Sequence, residues 1–201
     1  MTDRANVTGV LLAAGAGRRM GMPKALVKDT GGEPWVRRGV RVLRDGGCDP
    51  VMVLVGAEPE RVTEALGILR PAPEVVPAVH WEQGMGASLR AALAHLGAAS
   101  GADAAVVALV DLPDVGPDVV RRMLEQADAA ADRAAVLARA TYDGRPGHPV
   151  LIGRDHWAAM AATLSGDEGG RRYLADHGAL AVECGDLATG RDQDTPSPPP
   201  Q

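Results

Sequence analysis

Uninterrupted apolar runs that alternate with helix-patterned segments constrain this chain more than any other feature. Val7–Ala13, Val51–Val55, residues 75–79 and residues 104–110 read as strands. Residues 34–43, 59–69, 87–96 and 117–130 read as the helices between and after them. Pro59 suits a helix start, where its missing N–H costs nothing. Strands that are apolar throughout, rather than on every second residue, belong in a parallel sheet covered on both faces. The expectation is therefore a three-layer α/β/α fold with a mostly parallel central sheet. Residues 135–140 and 150–152 read as two further short strands, with residues 141–149 as a loop between them. Ligands of such sheets sit beyond the carboxyl ends of the strands. The turn at Gly15, the segment after residue 79 and Asp111 all follow strands directly, so one sheet edge should gather them.

The chain has 201 residues, enough for one domain with a large core, expected over residues 1–194. Residues 195–201, Thr-Pro-Ser-Pro-Pro-Pro-Gln, read as a disordered or extended tail. Apolar residues make up 46%, yet aromatics are 2% and Phe is absent, so small aliphatic side chains must build the core through close helix–sheet contact. A net charge of −5 argues against nucleic acid or a membrane surface as partner. No apolar run is long enough to cross a bilayer. Cys48 and Cys184 lie far apart with no metal-spaced neighbour, which excludes a disulfide framework and a zinc site. With no visible leader segment, the expected location is the cytoplasm.

The first strand runs into Leu12-Ala13-Ala14-Gly15-Ala16-Gly17-Arg18-Arg19-Met20-Gly21-Met22-Pro23-Lys24. Glycines let the backbone adopt positive φ, and successive N–H groups in such a turn form an anion-binding concavity. Arginine and lysine add forked and point-charge contacts to phosphate. The dinucleotide fingerprint does not fit, because Met20 stands at its third glycine, and neither does the P-loop, because Met22 and Pro23 separate Gly21 from Lys24. The alternative is a solvated strand–helix loop with its arginines in water.

Three other segments carry candidate chemistry. Asp111-Leu112-Pro113-Asp114 ends the fourth run, opposite the basic loop. Magnesium needs one or two carboxylates plus water and substrate phosphates, and Asp111 is suitably placed to supply one. Asp114 reads as a turn or cap residue for the helix near Pro117, a role also open to Asp111. In Trp81-Glu82-Gln83-Gly84-Met85-Gly86-Ala87-Ser88-Leu89-Arg90, the glycines admit a flat ring and Ser88 can donate or accept; a capped helix start is the plainer reading. Gly144-Arg145-Pro146-Gly147-His148-Pro149-Val150 reads as a turn that presents His148, either to a ligand or to a backbone partner.

The loop from Leu12 to Lys24 resembles the signature of MobA-like nucleotidyltransferases, and Ala13-Ala14-Gly15 is most similar to the cytidylyltransferase branch. Asp111-Leu-Pro resembles that family's magnesium-binding Asp-x-Pro motif. Asp192-Gln193-Asp194-Thr195-Pro196 resembles its second metal-binding motif, although the helix that normally follows is missing. The segment around Gly84 and Ser88 resembles the family's base-reading turn, Gly147-His148-Pro149-Val150 its acceptor-side motif, and Gly166-Asp167-Glu168-Gly169-Gly170-Arg171-Arg172 a segment near that acceptor site. The resemblance runs from residue 7 to residue 196. It implies a Rossmann-like fold of the nucleotide-diphospho-sugar transferase type and transfer of CMP from CTP to a phosphorylated acceptor such as molybdopterin, with a molybdenum enzyme as a further partner. In the implied site, Leu12, Ala13, Ala14, Gly15, Gly17, Lys24, Gly84 and Ser88 bind the nucleotide. Arg19, Lys24 and Asp111 are catalytic, Asp111 and Asp194 hold Mg2+, and His148 meets the acceptor phosphate or pterin. Three other readings stay open: a sugar- or alditol-phosphate nucleotidyltransferase, an oxidoreductase acting on a nicotine-blue-type heterocycle, and a nucleotide-binding chaperone without turnover.

Overall fold

The computed structural model describes residues 5–99, 101–166 and 169–193, so the tail at 195–201 lies outside it. Strands β1 (Val7–Ala13), β2 (Val51–Val55), β3 (Glu74–Pro77), β4 (Ala104–Leu109), β5 (Leu137–Tyr142), β6 (Arg145–Gly153) and β7 (Leu180–Glu183) form one sheet in the order β3-β2-β1-β4-β6-β5-β7. All neighbouring pairs are parallel except those made by β6, which runs antiparallel to β4 and β5. The sheet is thus mostly parallel, as the continuous apolar runs require.

Helices α1 (Trp35–Asp45), α2 (Pro59–Leu66) and α4 (Pro117–Ala129) cover one face, and α3 (Met85–Ala99), α5 (Arg154–Thr163) and α6 (Arg171–Asp176) cover the other. Successive β1 side chains supply the two cores in turn: Leu11 and Ala13 face α1, whereas Val10 and Leu12 face α3. The two faces together bury every residue of β1, β2 and most of β4, which explains their unbroken apolar patterns. With no Phe to fill gaps, backbones must approach closely. A Cβ on Gly39 of α1 would lie 2.8 Å from the Leu11 methyls, so glycine lets α1 settle onto β1 without displacing that side chain.

The segment read as a loop over 141–149 is instead the tip of a β-hairpin. Asp143 and Gly144 both take left-handed φ, 51° and 74°, which matches the twist of the flanking strands and lets β5 turn directly into β6. Prolines 146 and 149 conceal the strand in the sequence. The Glu183 carboxylate at the end of β7 anchors the tip, accepting from the Thr141 hydroxyl (2.8 Å) and from the backbone N–H of Asp143 (2.9 Å), Gly144 (3.1 Å) and Gly185 (2.8 Å). These bonds hold its pKa down at about 2.

Candidate active site

The carboxyl ends of β1 and β4 define the centre of the site. Residues 14–24 leave β1 and fold back on themselves: Met20 N–H donates to the Gly17 carbonyl at 2.8 Å. Gly17 has φ +59°, and a Cβ there would lie 1.9 Å from the Met22 carbonyl oxygen, so the loop closes only with glycine. Closure brings Lys24 back over the sheet edge, where its Nζ lies 2.6 Å from Oδ2 of Asp111, just past the end of β4. Both side chains are mostly buried, 19% and 17% exposed. A pair this shielded from solvent interacts more strongly than a surface pair.

A cavity of about 400 Å3 opens over this loop, lined by Leu12, Ala14, Gly15, Gly17, Lys24, Gly84, Ser88 and Asp111 among others. The predicted nucleotide residues of two separate segments and the predicted metal ligand Asp111 therefore line one cavity. Ala13 is the exception, since its side chain packs in the opposite core. Arg18 lines the cavity, whereas Arg19 is exposed and outside the lining. Trp81 also lines it, an apolar plane that the glycine-centred reading overlooked.

A second cavity, of about 280 Å3, adjoins the first, and both include Leu12, Met85, Leu109 and Asp111 in their walls. Its far wall comes from the β5–β6 hairpin and the start of α6: Arg139, Gly147, His148 and Arg171. Arg139 Nε donates to the Gly147 carbonyl at 3.1 Å, and the Tyr142 hydroxyl donates to the His148 carbonyl at 2.6 Å, so the first half of β6 is tied to β5 by side chains as well. Burial, reinforced by the charges of Arg139 and Arg171, pushes the His148 imidazole down to about 4. His148 is thus neutral at pH 7. It can give or take a hydrogen bond but supplies no positive charge.

The segment after β7 crosses back to Asp111. Asp114 does not cap α4, whose N-cap is Gly116; it accepts from the N–H and hydroxyl of Thr189, both at 2.6 Å. Gln193 N–H then donates to the Asp111 carbonyl at 3.0 Å, and Asp192 lines the second cavity beside Asp111. The loop itself is fixed by Arg38 of α1, which donates to the carbonyls of Leu112 (3.3 Å), Pro113 and Val115 (3.4 Å). Nothing in the sequence marks Arg38 out from the other arginines of this helix. Asp194, the expected second metal ligand, and Asp167 and Glu168 lie outside the described residues. No cluster of three or more His, Cys, Asp or Glu suited to a metal occurs among the described residues. Asp111, with Asp192 on the same wall, still fits magnesium, which takes few protein carboxylates and completes its shell with phosphate and water.

A family model described as the MobA-like NTP transferase domain matches residues 9–181, nearly the whole sheet. The chain belongs to that family. It is 37% identical over 204 residues to nicotine blue oxidoreductase of Paenarthrobacter nicotinovorans, covering 96% of this chain and 95% of the relative. It is 32% identical over 155 residues to the molybdenum cofactor guanylyltransferase of Rhodobacter capsulatus, covering 76% and 66%. Among solved structures, the manganese complex of Rv0371c from Mycobacterium tuberculosis superimposes with a TM-score of 0.69 at 27% identity, covering 94% of each chain. The chain therefore has the MobA-like NTP transferase domain on a mostly parallel α/β sheet, while these relatives carry names from different activities. Among the described residues, no helix is long and apolar enough to cross a membrane.

Proposed function

We propose that this member of the family transfers CMP from CTP to a phosphorylated acceptor of the molybdopterin type. The observation that carries the reading is the position of Asp111, paired with Lys24 where the two cavities meet. In this reading a terminal phosphate oxygen of the acceptor, seated in the second cavity, attacks the α-phosphorus of CTP in the first. The bond from α-phosphorus to the bridging oxygen breaks, and pyrophosphate leaves with the electron pair. Reactions of this type ask the protein for positioning and charge stabilisation more than for covalent chemistry.

Lys24 and the backbone N–H groups of the loop from Ala14 to Gly17 hold the triphosphate and stabilise the leaving pyrophosphate, with Arg18 or Arg19 at its outer edge. Gly84 and Ser88 bind the base. A divalent cation, magnesium in this reading, is held by Asp111 with Asp192 or Asp194 and neutralises phosphate charge when bound. No general base is needed, because the attacking phosphate is already ionised. Ala14 supports the choice of CTP: its buried methyl lines the donor cavity and leaves less room than glycine would, which suits a pyrimidine. Pyrophosphate release measured with each of the four nucleoside triphosphates, with and without molybdopterin, tests the reading. CTP-dependent release that requires the acceptor supports it.

A second reading is favoured by one observation, the 37% identity to an oxidoreductase over nearly the full length. It makes the chain an oxidoreductase acting on a related heterocycle. That reading expects reduced nicotinamide to be consumed and gives the Lys24–Asp111 pair no evident task. Its loop would also hold a dinucleotide without the third fingerprint glycine, which is Met20 here.

A further inference from the structure

The second cavity is electrically divided. Asp111 and Asp192 line one end, near the junction with the donor cavity. Arg139, Arg171 and His148 line the other, and the groups are close enough that Arg171 lowers the Arg139 pKa and both arginines lower that of His148. Arg139 is half-buried on β5. Its one described hydrogen bond goes to the neutral Gly147 carbonyl. Among the described residues, no carboxylate forms an ion pair with Arg139 or Arg171. A half-buried guanidinium beside a second, exposed one, with neither paired to a carboxylate among the described residues, is the arrangement that an anionic ligand relieves.

Arg139 and Arg171 also line an adjoining depression floored by Ala175, Ala179 and Ala181, so the two arginines stand between the second cavity and an apolar shelf. Asp111 stands where the second cavity meets the donor cavity, whereas the arginines stand where it meets this depression. The anion they would take is therefore separate from the group that reacts at Asp111. We infer that Arg139 and Arg171 form a second anion site at the far end of the acceptor cavity, so that the acceptor carries two separated anionic groups, one that attacks and one that is gripped. This inference rests on the nucleotidyltransfer reading for what happens at Asp111, but the site itself does not. The planar forks of two arginines suit a phosphate-like or carboxylate oxyanion, and the neutral His148 adds a hydrogen bond without further repulsion. The alanine shelf beyond accommodates an apolar part of the same ligand.

The test uses inorganic phosphate as probe and the full chain labelled with 15N-arginine. The side-chain Nε–H signal of Arg139 is identified by its loss in Arg139→Gln, and Arg139→Lys, which keeps the charge, reports on folding through its melting temperature. Phosphate should shift the Arg139 signal saturably in the wild type and equally in Lys24→Ala, where the donor loop is disabled. Arg171→Gln should weaken that titration about tenfold, as loss of one charge-assisted contact implies. An Arg139 signal that does not saturate with phosphate overturns the inference. So does a titration that disappears in Lys24→Ala, which would mean that the donor loop was the phosphate site. Because the readout is binding, a titrating Arg139 in a protein that releases no pyrophosphate would reject the proposed reaction and leave the anion site standing.

Discussion

The donor and acceptor halves of the site share Asp111 but are built in opposite ways. The donor half is local: one loop of eleven residues, closed by Gly17, returns Lys24 to the strand edge it left. Its Lys24 is matched by the Asp111 carboxylate at 2.6 Å. The acceptor half is assembled from β5, the start of β6, α6 and the segment after β7, and its arginines have no described carboxylate partner. A half whose central lysine is already paired can hold its shape alone, whereas a half whose arginines lack such a pair is completed by its ligand. In the proposed reading, the contrast separates the half that binds the nucleoside triphosphate from the half that selects the molecule receiving the nucleotide.

Substitutions in the donor half should have the largest effects. Asp111→Asn removes the charge at the junction and should lower transfer by about a thousandfold with the fold intact, judged by circular dichroism and turnover. Lys24→Ala should cost about a hundredfold or more in turnover through lost stabilisation of the leaving pyrophosphate. Equal losses from acceptor-side substitutions would erase the distinction between the halves. Ala14→Gly should be milder, shifting the CTP-to-GTP preference by about tenfold towards GTP, the scale of one methyl in a pocket. Unchanged preference would remove Ala14 from nucleotide choice.

The smallest effects concern acid stability, and they belong to the acceptor half. His148 is lowered from 6.5 to about 4, so the unfolded state binds the extra proton between those values and stability falls as pH drops through that window. Glu183 is lowered from 4.5 to about 2, so its contribution is complete above pH 4.5 and is lost as pH falls towards 2. Urea titrations at successive pH values should show the upper limb flattened in His148→Gln and the lower limb flattened in Glu183→Gln. His148→Gln should leave the turnover profile between pH 5.5 and 8 without a lost step, because the native imidazole is already neutral there.

The same division governs what could be read from the sequence. Helix 117–130 and the strands of the parallel half were legible because burial on both faces forces continuous apolar runs; the observed helix is Pro117–Ala129 and the first strand is Val7–Ala13. Gly17, Lys24 and Asp111 were legible because turn chemistry and strand ends are local signals. The β5–β6 hairpin was not, since Pro146, Gly147 and Pro149 mimic a loop and leave the Asp143-Gly144 turn with an alternating flank on one side only. Arg139 carried no signal at all: one arginine in a strand looks like a solvated edge until the fold sets it beside Arg171 and His148. Asp114 and Thr189 meet only through the tertiary path of the segment after β7.

Steady-state release of pyrophosphate from CTP, measured with magnesium and a molybdopterin acceptor in wild type and Asp111→Asn, tests the central claim most directly. The account predicts acceptor-dependent release in the wild type and its near-complete loss in the variant. Release that persists in Asp111→Asn, or a wild type that instead consumes reduced nicotinamide and releases no pyrophosphate, would contradict it.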